Sequence, residues 1–147
     1  MTVKTKFYNQ KANTSQICSD LKKKKEKHVI HGGIDEGEIG VIAPYRNQVK
    51  IIREELSKTC NCVEVNTVDQ YQGRDKRVII ISFTRCLKGS KHIETKASSG
   101  ELLNDIRRLN VAVTRAKEKL IMIGHKETLQ LYQPMSEILS MLEEKNV

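Results

Sequence analysis

Residues 65–82 read VNTVDQYQGRDKRVIIIS, a polar loop joined directly to an apolar strand. Its second part continues as VIIISF over 78–83, a β-branched run without polar alternation, which is the pattern of a strand covered on both faces. Such strands belong to parallel sheets, whose crossovers are usually helices. The chain supplies them on either side. Upstream, 39–43 is a short apolar run closed by Pro44, QVKIIREEL places Val49, Ile52 and Leu56 at helical spacing, and 63–65 is a further short strand. Downstream, CLKGSKHIETKASSG over 86–100 reads as a surface loop, DIRRLNVAVTRAKE over 105–118 as a helix, and 119–123 as another strand. The segment PMSEILSMLEE over 134–144 reads as an amphipathic helix begun by Pro134 and Ser136, with Ile138, Leu139 and Leu142 facing inward. No internal repeat is present. Strands alternating with helices define an α/β, doubly wound architecture.

Composition agrees with one folded domain. The chain has 147 residues, 38% hydrophobic and 30% charged, which excludes a disordered polyelectrolyte. Its net charge of +8 favours the approach of a polyanion. Cys18, Cys60, Cys62 and Cys86 form no C-x-x-C pair, so reduced thiols are expected rather than a zinc module or disulfide framework. No apolar run reaches the roughly 18 residues of a membrane span, and MTVKTKFYNQ lacks the apolar core of a signal peptide, so no membrane partner is expected. Residues 1–36 are polar and Lys-rich and read as a basic, poorly packed arm, with the ordered domain at 37–147. The run in LKKKKEKH suits a solvated helix face, a nuclear localisation signal or a phosphate-gripping patch.

Three segments carry candidate chemistry. In NTVDQYQGRDK, Asn66 and Thr67 can donate to a phosphate, Gln72 can donate and accept, Gly73 permits close backbone approach, and Arg74 and Asp75 add opposite charges. A loop leaving a parallel strand stands where ligands bind; the plainer alternative is a turn in which Thr67 and Asp69 cap the backbone. In DIRRLNVAVTRAK, Arg108 and Arg115 lie one heptad apart and share a helix face, either as phosphate donors or as surface ion pairs. In APYRNQ, Tyr45 offers a stacking face and Arg46 and Gln48 offer donors, unless the segment is an ordinary strand-to-helix turn.

Taken together, IGVIAPYRNQV, VNTVDQYQGRDKRVIIIS and RRLNVAVTRAK resemble, in identity, order and spacing, motifs IV, V and VI of superfamily 1 helicases of the Upf-like branch. Within that branch, VEVNTVDQYQGRDK and GELLNDIRRLNVAVTRAKEKLIMIG resemble the eukaryotic nuclease-helicases of Okazaki-fragment processing and DNA end resection. The resemblance runs from about Glu38 to the C-terminus.

The resemblance implies a RecA-like parallel sheet with helices on both faces, the second motor domain of a pair that closes on ATP and Mg2+. It implies an arginine finger at Arg115, nucleotide-side roles for Gln72, Gly73 and Asp75, and strand contacts at Pro44, Tyr45, Thr67 and Asn110. Relatives often carry Glu where Asp75 stands. The implied partners are single-stranded nucleic acid, DNA rather than RNA, and the N-terminal RecA-like domain of the same helicase. A replication or repair role implies a nuclear location, with mitochondrial and cytoplasmic locations open. A non-catalytic nucleic-acid-binding or regulatory module, or part of an RNA helicase of the same branch, is the alternative. The chain has no G-x-x-x-x-G-K-[ST] phosphate loop, and the family's other nucleotide-contacting Arg, before motif IV, has no counterpart. The isolated chain is therefore expected not to hydrolyse ATP. Phosphate release by the pure chain, with and without single-stranded DNA, should stay at background; DNA-stimulated turnover indifferent to Arg115→Ala would contradict this.

Overall fold

A computed structural model describes residues 2–7, 34–58, 60–83 and 102–144, giving only the backbone at 2–7 and 142–144. Its strands are β1 (Thr2–Phe7), β2 (Ile39–Ile42), β3 (Glu64–Asn66), β4 (Lys76–Ser82) and β5 (Ala116–Gly124). Its helices are α1 (Arg46–Leu56), α2 (Ile106–Thr114), α3 (Lys126–Leu129) and α4 (Gln133–Glu144). Short 3-10 turns occupy Glu36–Glu38, Asp69–Tyr71 and Leu102–Asn104. The strands form one sheet in the order β1-β5-β4-β2-β3, and every neighbouring pair is parallel.

The unbroken apolar run of β4 follows from its position. Successive side chains point to opposite faces. Ile79, Ile81 and Phe83 enter a core with Leu109 and Ala112 of α2, Leu129 of α3 and Met135 and Leu139 of α4. Val78 and Ile80 enter a second core with Val49, Ile52 and Leu56 of α1. β5 repeats the division, with Leu120 and Met122 on the first face and Ile121 and Ile123 on the second. Each fully buried aliphatic side chain contributes about 1.5–3 kcal/mol, so a strand covered on both faces gains at every position. This is the RecA-like α/β sheet with helices on both faces that the motifs implied.

Two boundaries differ from the sequence expectation. Thr2–Phe7, assigned to a poorly packed arm, form an edge strand registered from Thr2↔Lys119 to Phe7↔Gly124. The alternating, Lys-bearing TVKTKF is edge-strand sequence, and its small apolar content concealed it among the basic residues. The remainder of the arm, residues 8–33, and the 86–100 loop lie outside the described residues. The helix expected over 105–118 ends at Thr114. Arg115 keeps right-handed helical angles, φ −73° and ψ −15°, but its carbonyl accepts the Lys76 amide at 3.0 Å and Ala116 pairs with Lys76. The sheet ladder captures the chain there. In α4, Leu139 is buried and Ile138 half-buried as expected, while the Leu142 side chain is outside the described set.

The connection from β3 to β4 positions the site. These strands flank β2, so residues 67–75 must cross it on one face. Tyr71 makes the crossing fully buried, and its hydroxyl donates to the Glu64 carbonyl at 2.7 Å. Beneath it lies Gly40 of β2, where an added Cβ would stand 2.5 Å from Tyr71 Oη and 2.9 Å from Ile79 Cδ1. Overpacking of this kind typically costs about 1–3 kcal/mol. Gly40→Ala should lower the thermal midpoint accordingly. Adding Tyr71→Phe, which removes the nearest atom, should give a double variant less destabilised than the sum of the singles; strictly additive losses would mean the clash lies elsewhere.

Candidate functional site

The carboxyl ends of β2 and β3 lie side by side, with Ile42 opposite Asn66 and the Ala43 amide donating to the Asn66 carbonyl at 3.2 Å. Pro44 and Thr67 therefore leave adjacent strands as neighbours. Tyr45 N-caps α1 through its backbone and is 36% exposed, and Thr67 is half-buried. From α1, Arg53 donates to the Val65 carbonyl at 2.6 Å and to Asn66 Oδ1 at 3.1 Å, fixing the end of β3. Asn110 does not leave the sheet with this group; it is exposed on α2, where its carbonyl accepts the Thr114 hydroxyl at 2.7 Å.

One expected donor is placed elsewhere. Gln48 is buried, and its Nε2 donates to the Ser82 carbonyl at 3.0 Å and to Ser82 Oγ at 2.7 Å. It braces α1 against the end of β4 and does not face a phosphate. Its position one residue before Val49, on the inner side of the helix, carried that signal. Arg46 remains exposed.

The nucleotide-side candidates gather where residues 69–76 meet α2. Gln72 closes the Asp69–Tyr71 turn and is exposed. Gly73 has φ +76°, a left-handed conformation that disfavours side chains, although a Cβ there would meet nothing within 4 Å. Its glycine is required by the turn. Asp75 Oδ1 pairs with Arg115 Nη1 at 3.0 Å, while Arg115 Nε donates to the Val111 carbonyl at 3.2 Å. Arg115 is mostly buried, with 22% of its side chain exposed. Thus Asp75 and Arg115, selected from separate motifs, are in direct contact.

A second link joins the same two segments. Asp105 caps α2 by accepting from the Arg107 amide at 3.0 Å and the Arg108 amide at 3.2 Å. Arg108 then reaches Asp69 in a two-pronged contact, Nε to Oδ1 at 3.1 Å and Nη2 to Oδ2 at 2.7 Å. The plainer alternative for the loop has Asp69 cap the backbone; its carboxylate instead accepts from Arg108. An open pocket of about 200 Å³ beside this pair is lined by Val68, Asp69, Gln72, Arg107, Arg108 and Val111.

Behind the loop, Glu64 accepts from Arg74 at 2.7 Å and Asn66 Nδ2 at 2.9 Å and pairs with Lys76 at 3.1 Å. Burial raises its pKa, but hydrogen bonds and charges from Lys76 and Arg74 outweigh that and hold the carboxyl below its ordinary 4.5. Burial first, and the Glu64 charge second, push the Tyr71 phenol far above its ordinary value, so it remains a neutral donor.

The sheet and these paired segments define a RecA-like domain, and comparison with known proteins gives its family. A model described as an AAA domain matches residues 2–127, and the chain belongs to that family, as the C-terminal RecA-like domain of a Upf-like superfamily 1 helicase. It is 46% identical over 118 residues to the human DNA replication ATP-dependent helicase/nuclease DNA2, covering 80% of this chain and 10% of that protein. The fission yeast (Schizosaccharomyces pombe) dna2 protein is 45% identical over 114 residues, 78% of this chain and 8% of its own length. Arabidopsis thaliana JHS1, a protein of the same description, is 38% identical over 120 residues, 82% of this chain and 8% of its own length. The chain spans about a tenth of the length of these relatives. The match from residue 2 also brings β1 into the family domain, ahead of the Glu38 limit of the motif resemblance. No helix among the described residues is long and apolar enough to cross a membrane.

The sign of the Glu64 shift fixes a pH dependence. A carboxyl depressed in the folded state contributes stability that is fully present above its unfolded pKa and lost as pH falls through the lower folded value. Thermal midpoints taken downward from about pH 6 should therefore fall more steeply below 4.5 for the parent than for Glu64→Gln. Parallel profiles would contradict the assignment.

Proposed function

We propose that this chain is the second motor domain of an ATP-dependent DNA helicase of replication or repair, acting in the nucleus with a separate N-terminal RecA-like ATPase domain. The contact between Asp75 and Arg115 carries this reading, because it sets a guanidinium at the junction of motif VI and the motif V turn. A guanidinium offers several donors, keeps its charge at all working pH values, and stabilises charge that develops on a transferring phosphoryl group. The donor set suits the phosphate end of a nucleotide. Mg2+ beside a nucleotide is ordinarily held by one or two carboxylates together with the substrate phosphates, and no group of three or more His, Cys, Asp or Glu side chains able to hold an ion occurs among the described residues. In the proposed motor, the phosphate-binding loop that this chain lacks belongs to the partner domain, and Mg2+ and most of the ATP contacts belong there with it.

In this scheme Arg115 exchanges Asp75 for the phosphate, and Gln72, Gly73 and Asp75 line the nucleotide side. The approach is local, since Arg115 needs only to swing away from a carboxylate that is 46% exposed. Pro44, Tyr45 and Thr67 form the strand-facing edge, where an aromatic face and a hydroxyl meet an exposed backbone without reading base identity. Asn110 would join them only from α2.

In the assembled motor, Arg115→Ala should cut phosphate release by a factor of roughly 10³ while leaving affinity for a labelled oligonucleotide nearly unchanged. Normal turnover with lost affinity would reassign Arg115 to the strand. The pure chain should bind single-stranded DNA weakly and without sequence preference, at about 10⁻⁴ to 10⁻⁶ M at physiological salt. Tyr45→Ala with Thr67→Ala should weaken it, whereas loss only on deleting residues through Lys27 would assign the affinity to the lysines.

A further inference from the structure

Motif V runs between the two edges just described, and its middle is tied to α2 at both ends of that helix. Thr67 lies two residues before Asp69, and Asp69 is gripped by Arg108 in the first turn of α2. At the other end of α2, Arg115 is held by Asp75, and its carbonyl by the Lys76 amide. We propose that Asp69 and Arg108 are a positioning pair, by which engagement of a nucleic-acid strand at Thr67 is passed through α2 to Arg115. This deepens the function proposed above and rests on its placing the strand at Thr67 and the nucleotide at Arg115.

The geometry supplies the reasons. A two-pronged guanidinium–carboxylate contact fixes distance and orientation together, which a single-pronged ion pair does not. Arg108 is set by its own helix, because Asp105 caps α2 through the Arg107 and Arg108 amides. α2 spans nine residues from Ile106 to Thr114, so displacement at its first turn is carried to its last rather than absorbed by a loop. Asp69 opens the 3-10 turn whose Gln70 amide donates to the Thr67 carbonyl at 3.2 Å, so movement of Thr67 moves Asp69. The chain offers a second route between Thr67 and Asp75, along the backbone through the buried Tyr71, and substitutions at Asp69 and Arg108 leave that route intact. The pair lies nearer the surface than Tyr71: the Asp69 side chain is 66% exposed and that of Arg108 28%.

The test uses the full chain with ¹⁵N-labelled backbone, titrated with oligothymidylate, reading amide shifts at Thr67 and at Arg115 and Ala116. In the parent both groups should respond along one binding curve. In Arg108→Gln, in the near-isosteric Asp69→Asn, and in the double variant, the Thr67 response should persist, while the Arg115 and Ala116 responses fall equally in all three to the level of residues remote from the site. Thermal melts identify a variant that has unfolded, and if Arg108→Gln does so, Asp69→Asn alone carries the test. An Arg115 response undiminished in the variants overturns the proposal, as do losses that add in the double variant or a Thr67 response that disappears with them. A parent that shows no response at Thr67 removes the strand assignment itself and the inference with it, an outcome distinct from the others.

Discussion

Tyr71 crossing β2 above Gly40 is the contact on which the domain's arrangement depends. β3 and β4 are neighbours in sequence but lie on opposite sides of β2, so the connection between them must pass over one face of that strand. It does so with an aromatic ring packed where a side chain at position 40 would sit. The Tyr71 hydroxyl, buried and kept neutral, is satisfied by the Glu64 carbonyl, which removes the cost of an unpaired polar atom in the core. Because the ring is fixed, the course of the connection over β2 is fixed. Thr67 is left at the carboxyl end of β3 and Asp75 at the start of β4, one at each edge of the candidate interface.

Magnitudes separate what holds the fold from what moves within it. Truncating a buried aromatic ring typically costs about 3–5 kcal/mol, whereas a partly exposed ion pair contributes at most about 1 kcal/mol. The ion pairs of Arg108 with Asp69 and of Arg115 with Asp75 are therefore not what keeps α2 on the sheet; Leu109 and Ala112, both fully buried, do that. A weak pair in a rigid frame can exchange partners cheaply. That is the property the proposed exchange of Asp75 for a phosphate requires of Arg115.

The sequence made the central architecture legible because β4 and β5 are apolar at consecutive positions, and only a strand with two covered faces rewards that pattern. It also made the loops legible as motifs, and the strands that Pro44 and Thr67 leave are neighbours in the sheet. β1 was hidden because an edge strand is stabilised by backbone pairing to β5, which leaves little apolar trace in TVKTKF. The end of α2 was hidden because Ala116 and Lys117 fit a helix by propensity, and only pairing with Lys76, distant in sequence, diverts them. The Asp69–Arg108 and Gln48–Ser82 contacts join residues 39 and 34 positions apart, and nothing local to either partner names the other.

The most direct test of the account is the position of Arg115 in the nucleotide cycle. A crystal structure of the assembled motor, with ATP's transferring phosphate replaced by a transition-state mimic, should show the Arg115 guanidinium donating to the mimic and its contact with Asp75 broken, while Tyr71 remains above Gly40. Arg115 still paired with Asp75, with another residue of this chain on the phosphate, would contradict it.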